Sequence, residues 1–159
     1  MTFCKSEKGI GIVEILVVSS IIIVALMAIL QLFQLEVRAE RFRREELQAY
    51  ALISESLEAA RSVRDEDWSS IDGLVRGTSY YPQVSAGSWI LSTTNPGPTD
   101  GFTRWVVLAN VNRDGNDNIV ASGGTLDPDT IKITAYAQWQ SYSDTKTKSL
   151  TMYVTNWQD

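Results

Sequence analysis

An uncharged apolar segment near the amino terminus places the strongest constraint on how this chain folds. The 21 residues from Ile15 to Leu35 contain no Asp, Glu, Lys or Arg. A helix needs roughly 20 predominantly apolar residues to cross the hydrocarbon core of a bilayer, which is about 30 Å thick. We therefore expect this segment to form a membrane-spanning helix.

A short polar leader, residues 1–9, precedes the apolar segment. A secretory signal peptide has its cleavage site after the apolar region, whereas the only short leader here lies before it. We expect the apolar segment to stay on the mature protein. Lys5 and Lys8 outnumber Glu7 in the leader, and positive flanks tend to remain cytoplasmic. The bulk of the chain is therefore expected to face outward.

One carboxylate, Glu14, lies at the start of the apolar segment. An ionised carboxylate near hydrocarbon costs about 2.5 kcal/mol or more, so such residues usually have a partner. Cleavage after Gly9 would create an amino terminus at Ile10, four residues before Glu14 on the same helix. A cation and an anion would then share one face. The alternative is that Glu14 only marks the polar edge of the span.

The sequence from Lys8 to Val17, Lys-Gly-Ile-Gly-Ile-Val-Glu-Ile-Leu-Val, resembles the prepilin processing motif of type IV pilins and type II secretion pseudopilins. Those families usually show Gly followed by Phe-Thr-Leu-Ile-Glu, and this chain departs by carrying Ile10 and Gly11 at the first two of these positions. The resemblance implies cleavage after Gly9 by a membrane prepilin peptidase and N-methylation of Ile10. It also implies that Glu14 neutralises the amino terminus of a neighbouring subunit during filament assembly.

What the resemblance implies for function is a structural subunit, a minor pilin or pseudopilin, of a type IV pilus or a type II secretion-like filament. Its partners would be other pilin or pseudopilin subunits, prepilin peptidase, an inner-membrane assembly platform and, before assembly, membrane lipid. It would start as a single-pass protein of the cytoplasmic or inner membrane and end in an extracellular filament or a periplasmic pseudopilus. The only cysteine, Cys4, lies in the leader, so the mature chain would lack the disulfide loop of many pilins. This absence favours a pseudopilin, a minor pilin or a different lineage.

The helical signal continues past the apolar segment. No glycine or proline occurs between Gly11 and Gly73, and the residues are good helix formers, which predicts one helix from about Ile12 to about Asp65. Apolar positions in its outer half repeat at helical spacing and predict packing against a sheet: Ala49, Leu52, Ile53, Ser56, Ala60 and Val63. The charged stretch from Glu36 to Glu46 predicts a solvated collar with internal ion pairs. A subunit-pairing surface is the alternative.

Beyond Gly73 the sequence favours β-structure, because turn residues separate β-branched and alternating runs. Strong strand candidates are 103–111, 130–141 and 148–157, and weaker ones are 78–84, 89–92 and 119–122. We predict an α+β fold in which the outer half of a long amino-terminal helix packs on a carboxy-terminal antiparallel sheet. The predicted parts are the leader 1–9, the membrane and assembly half of the helix 10–35, its outer half 36–72 and the sheet region 73–159.

Five tryptophans invite a binding-site hypothesis, but a structural role is the better prediction. Four of them are expected to supply core burial: Trp68, Trp105, Trp139 and Trp157. Trp89 is expected to be the more exposed one.

One loop offers oxygen ligands for a hard cation. Asp114, Asn116 and Asn118 alternate in the manner that calcium favours, and Asp127 or Asp129 would contribute if the chain folds back. The positions that an EF-hand fills with Gly and Glu hold Ile119 and Thr125. Asp-Gly is also a common hairpin signal. A plain turn therefore stays as the alternative, and calcium is the only cofactor that the sequence suggests.

Catalysis finds little support in the sequence, since histidine is absent and no nucleophile, phosphate-binding or metal-hydrolase motif occurs. The formal net charge of −5 does not favour a nucleic-acid partner. Two hypotheses follow. The first is a non-enzymatic filament subunit, and the second is a single-pass membrane-anchored extracytoplasmic binding domain that does not polymerise. Retention of residues 1–9 would favour the second.

Overall fold

The computed structural model describes residues 11–157. Two helices and six strands follow one another along the chain: α1 Ile12–Glu66, α2 Trp68–Asp72, β1 Ser79–Ser85, β2 Ser88–Ser92, β3 Phe102–Arg113, β4 Ile119–Val120, β5 Thr125–Ser141 and β6 Asp144–Thr155. The predicted α+β fold, a long amino-terminal helix packed on an antiparallel sheet, is confirmed. The chain divides into two compact units, residues 1–43 and residues 44–159.

In the first unit, every described residue from Ile12 onward is helical. The predicted start of the long helix at Ile12 and its predicted end near Asp65 agree with the observed bounds of α1. By its length and apolar composition, this helix is sufficient to cross a membrane.

In the second unit, the strands form one antiparallel sheet in the order β2-β1-β3-β5-β6, with β4 paired to β3. The centre of the sheet is the long β3–β5 pair, in which Phe102 lies opposite Trp139. A bulge between Asn110 and Val111 shifts this register. Bulges bend a strand and increase its twist, and this one lies just before the loop that follows β3.

The residues of α1 from Ala49 to Val63 cover one face of the sheet and form a common core with it. The buried helix side chains are small or β-branched: Ala49, Ile53, Ser56, Ala59, Ala60 and Val63. Small side chains let the helix backbone approach the sheet closely, and the buried Ser56 hydroxyl is satisfied by donating to the carbonyl of Leu52 at 2.7 Å. The predicted apolar stripe is confirmed, except that Leu52 is only partly buried and Ala59 belongs to it.

Alternate residues of β5 face the helix, as the sequence predicts. Ile131, Ile133, Ala135, Ala137 and Trp139 are all at most 4% exposed. The period of two places every second side chain of a strand on the same face. The intervening side chains of β5 are therefore left on the solvent side of the sheet.

Polar contacts fasten the helix to the sheet at its flanks. Glu46 pairs with Lys148 at 2.5 Å and Glu55 pairs with Arg104 at 2.7 Å. Hydrogen bonding and attraction by Glu46 raise the pKa of Lys148 above its ordinary value. Near the helix end, Arg64 donates to the carbonyl of Thr155 at 3.1 Å. Glu46 lies at the end of the stretch that was expected to form a solvated collar, and it binds the sheet through its ion pair with Lys148 of β6.

A second short helix, α2, follows the end of α1 within the predicted outer helical part 36–72. Asp67 adopts an extended conformation and caps the separate short helix α2. Its carboxylate accepts hydrogen bonds from the Ser69 hydroxyl at 2.7 Å and the Ser69 N–H at 2.9 Å, which lower the pKa of Asp67. The break lets α2 place Ile71 in the core.

Three of the tryptophan predictions are wrong. Trp105 lies on the face of β3 opposite to Val106 and Leu108 and does not belong to the core. Trp157 is 64% exposed because β6 ends at Thr155, two residues before the predicted strand end. Trp89 is half-buried and packs against the core, since it shares the inward side of β2 with Leu91. Trp139 is buried as predicted.

Candidate functional site

The described apolar side chains of the first unit are exposed throughout. Ile12 is 79% exposed and Phe33 is 60% exposed, and even Ile29, the least exposed large apolar residue between Ile12 and Leu35, is 49% exposed. Burying one such side chain is worth about 1.5–3 kcal/mol relative to leaving it in water. A run of this length is therefore unfavourable in water and requires an apolar environment, either lipid or other apolar helices.

The two hydroxyls within the apolar segment are satisfied by the helix itself. Ser19 donates to the carbonyl of Leu16 at 3.0 Å, and Ser20 donates to the carbonyl of Val17 at 2.7 Å. Polar groups in hydrocarbon must find their partners within the protein. The two hydroxyl groups of the segment therefore need no partner outside the helix.

Glu14 lies in the first turn of α1, as the sequence predicts. Its N–H donates to the carbonyl of Gly11 at 2.9 Å, as does that of Ile15 at 3.2 Å. Within residues 11–157, no ion pair forms at the Glu14 carboxylate. The predicted processing residues, Gly9 and Ile10, lie outside the described residues.

The helix amino terminus stabilises the Glu14 carboxylate too weakly to offset the cost of placing it near hydrocarbon. A carboxylate in the first turn is favoured by the partial positive charge of the helix amino terminus. This interaction is worth about 0.3–1 kcal/mol at exposed sites, which is less than the cost of about 2.5 kcal/mol or more for an ionised carboxylate near hydrocarbon. The Glu14 carboxylate in the first turn of α1 therefore needs a cation as an additional partner.

The loop from Asp114 to Asn118 joins β3 to β4 and is closed by its own hydrogen bonds. One oxygen of Asp114, Oδ1, accepts the backbone N–H groups of Asn116 and Asn118, both at 2.9 Å. The side-chain amide of Asn118 also donates to this carboxylate, at 3.2 Å to Oδ2. These bonds, that of the Asn118 backbone first, lower the pKa of Asp114.

The three predicted calcium ligands therefore have different roles in the loop. Asp114 is an acceptor, Asn118 turns its amide nitrogen toward it, and Asn116 contributes its backbone N–H. Among the described residues, no group of three or more acidic, His or Cys side chains is placed to hold a metal. Calcium binding and a plain turn therefore stay the two alternatives for this loop, and its internal hydrogen bonds favour the turn.

Asp127, one of the two further acidic candidates, already has partners for its carboxylate. Asp127 binds Arg113, whose Nε donates to its Oδ2 at 2.6 Å, and it accepts the backbone N–H of Asp129 at 3.0 Å. Arg113 also donates to the carbonyl of Asp117 at 2.9 Å. A guanidinium therefore already stands at the base of the loop, where it neutralises the carboxylate that would fold back toward a metal.

A shallow groove of about 340 Å³ lies beside the edge strand β2, and sequence reasoning did not identify it. Its lining combines apolar side chains with a few polar groups: Val63, Glu66, Ser70, Leu74, Ser88, Trp89, Ile90 and Leu91. Such a mixture is common in binding sites. The signal that could have found it is Trp89 beside Ile90 and Leu91 in a short strand, with no neighbouring strand predicted to cover it.

Comparison with known proteins adds no relative: no family model, curated protein or solved structure matches the chain. The long apolar amino-terminal helix and the antiparallel sheet that its second half covers form an architecture compatible with that of pilins.

Proposed function

We propose that this chain is a structural subunit, a minor pilin or a pseudopilin, of a type IV pilus or a type II secretion-like filament. In this proposal the chain is cleaved after Gly9 and enters the membrane as a single span. It then assembles through the apolar part of α1, with Glu14 pairing with the amino terminus of an adjacent subunit.

The single observation that carries the proposal is the uncovered apolar segment of α1 with one carboxylate at its start. Its large apolar side chains, from Ile12 to Leu35, are 49–79% exposed within the unit that contains them. Lipid would cover them before assembly and similar helices would cover them afterwards. Both environments are apolar, so transfer from one to the other would change the hydrophobic free energy little.

Glu14 supplies the part of the proposal that a plain membrane anchor does not need. An uncompensated charge in an apolar bundle is strongly destabilising, and a hydrogen-bonded opposite charge offsets that cost. The amino group of a mature Ile10 is the cation that the proposal assigns to this role. Pairing between subunits would then select the axial position at which one subunit docks on the next.

The second unit fits the outer part of such a filament. Its core closes without residues from the apolar segment, since the helix residues of the core lie between Ala49 and Val63. A domain that is folded independently of the assembly segment can keep its structure while the surroundings of that segment change. This separation supports a subunit that moves from membrane to fibre.

The deciding experiment is intact-mass and amino-terminal peptide analysis of the protein isolated from its native membrane. We expect a chain that begins at Ile10, with or without a methyl group. A matched pair of variants sharpens the test. Gly9→Leu, which places a bulky side chain before the scissile bond, should retain residues 1–9, whereas Gly11→Ala should be processed normally. An amino terminus at Met1 or Thr2 in the unaltered protein would overturn the proposal.

A second function is favoured by the groove beside β2. If residues 1–9 are retained, Glu14 has no neighbouring amino terminus to bind, and the chain is better described as an anchored extracytoplasmic binding domain. The half-buried Trp89 and Leu91 would then contact the ligand. Trp89→Ala should abolish ligand capture in that case, and it should leave the yield of filaments unchanged if the filament proposal holds.

A further inference from the structure

The solvent side of the central strands is almost free of charge. The solvent-facing positions are the odd-numbered residues of 103–109 on β3, the even-numbered residues of 132–140 on β5 and the odd-numbered residues of 145–153 on β6. Lys132 is the only charged residue among these positions. The whole chain has a formal charge of −5. Its many acidic and basic side chains are thus kept away from this surface, which carries hydroxyl, amide and aromatic groups instead.

An aromatic pair stands in the middle of this surface. Trp105 and Tyr136 are direct cross-strand partners, and their rings stack with centroids 5.3 Å apart and planes inclined by 10°. On the other side of Tyr136, its partner on β6 is the exposed Ser149. Because a serine side chain is too short to cover a phenol ring, we infer that the second face of Tyr136 is open to a ligand above Ser149, and we call this place the slot.

Two hydrogen-bonded pairs flank this slot along the strands. The hydroxyls of Thr134 and Thr151 are 3.0 Å apart, and Gln138 donates to the hydroxyl of Thr147 at 3.2 Å. A hydroxyl can donate one hydrogen bond and accept two, and an amide has two donors and an acceptor. Each pair therefore retains hydrogen-bonding capacity toward a molecule above the sheet, and the pairs hold these groups in fixed positions.

We propose that this surface binds a neutral polysaccharide, with a sugar ring stacked on Tyr136 above Ser149. A pyranose ring presents apolar C–H groups on its face and hydroxyls around its rim. An aromatic wall matches the face, while serine, threonine and glutamine side chains match the rim. Trp105 is a positioning residue, since its ring fixes that of Tyr136 from the opposite side.

Because the solvent side of the central strands carries so little charge, a neutral polysaccharide fits it better than other polymers do. Nucleic acids and anionic polysaccharides need several cations along their path, and Lys132 alone does not provide them. A protein partner bound with high affinity would need a larger apolar centre. The proposal goes beyond filament formation, because it depends only on residues of the sheet.

The test is electrophoresis of the full-length protein in native gels that contain a polysaccharide, with a detergent that has no sugar headgroup. Hydroxyethyl cellulose, glucomannan and pullulan serve as neutral probes, and polygalacturonate serves as the anionic one. We expect retardation by at least one neutral probe and none by polygalacturonate. Ser149→Ile, which fills the slot with a residue favoured in strands, should weaken the binding at least tenfold.

Two further variants separate binding from folding. Tyr136→Phe keeps the ring and should keep most of the binding, whereas Tyr136→Ser should remove it. Trp157→Ala, at an exposed position beyond β6, should bind as the unaltered protein does. Thermal unfolding of Ser149→Ile should match that of the unaltered protein. Unchanged mobility with all three neutral probes would overturn the proposal, and so would retardation that Ser149→Ile leaves intact.

Discussion

The Oε2 atom of Glu45 accepts a hydrogen bond from the indole Nε1 of Trp139 at 3.1 Å, although the two residues are 94 positions apart in the chain. The same oxygen accepts the hydroxyl of Ser141 at 2.6 Å. Trp139 and Ser141 are both at most 5% exposed, and Glu45 is half-buried. One carboxylate thus satisfies two buried donors at the end of β5 and fixes the helix to the sheet there.

Replacing this carboxylate should destabilise the second unit. Glu45→Ala leaves two buried donors without an acceptor, so we expect the free energy of unfolding to fall by about 1–3 kcal/mol. Urea unfolding of the full-length protein in micelles, followed by tryptophan fluorescence, measures this. Glu58→Ala is the control, because Glu58 makes an exposed pair with Arg61, and its effect should stay within about 0.5 kcal/mol. Equal losses in the two variants would contradict the role of Glu45.

The pH dependence of stability should include a contribution from Asp127. Its pKa is lowered by the hydrogen bond from Thr130 and then by that from Arg113. A carboxyl whose pKa is lower in the folded protein stabilises it above the pKa of the unfolded chain, and this contribution is lost as the pH falls through the folded pKa. The melting temperature should therefore decrease below about pH 4.

The matched comparison is Asp127→Asn with Asp100→Asn, both measured by thermal unfolding between neutral and acid pH. Asp100 is exposed, and its side chain makes no hydrogen bond or ion pair within residues 11–157. Asp127→Asn should melt at a lower temperature at neutral pH and lose less stability on acidification. Parallel curves for Asp127→Asn and the unaltered protein would show that Asp127 does not contribute.

The loop at Asp114 should behave as a self-capped turn. Since its carboxylate already accepts three N–H donors within the loop, we expect added calcium to leave the melting temperature of the unaltered protein unchanged. Asp114→Ala should melt at a lower temperature by the same amount with calcium and with a chelator. A calcium-dependent rise in melting temperature that Asp114→Ala removes would instead establish the metal site.

Glu14 should matter for assembly and not for membrane insertion. Glu14→Ala keeps the uncharged span and the leader, so insertion and cleavage should be normal, while incorporation into filaments should fall at least about tenfold because the pairing charge is lost. Quantitative blotting of sheared filaments and of membranes measures both quantities. Glu36→Ala, in the same helix beyond the span, should assemble normally. A normal filament yield from Glu14→Ala would exclude the pairing mechanism.

The sequence predicted the features that depend on periodicity. The helix and the inward side of β5 follow from repeating apolar positions that extend over many residues. Boundaries that depend on turns were harder to predict. The β5–β6 hairpin turns at Tyr142, which has a positive φ of 55°, although tyrosine carries no turn signal. β5 also begins five residues early and includes Pro128, a residue that argues against a strand.

The candidate site was predictable only in part, for a physical reason. Glu14 was identifiable because one charge stands at the start of an uncharged segment. By contrast, the proposed sugar-binding surface depends on Tyr136 having Trp105 opposite it on β3 and Ser149 opposite it on β6. That relationship depends on the registers of two strand pairs. Turn geometry helps to fix the register of a strand pair, and the turns were the part of the fold that the sequence did not predict.

The edge strand β6 carries lysines that oppose pairing between the sheets of neighbouring molecules. A sheet edge of 12 residues leaves backbone groups that could pair with the edge of another molecule, which is the usual route to aggregation. Lys146 and Lys148 alternate along this strand on the side that faces the helix. Edge-to-edge joining of two sheets would bring these ammonium groups together, so the strand opposes the continuous ribbons that amyloid requires. Molecules held close to one another can thus remain separate at their sheets.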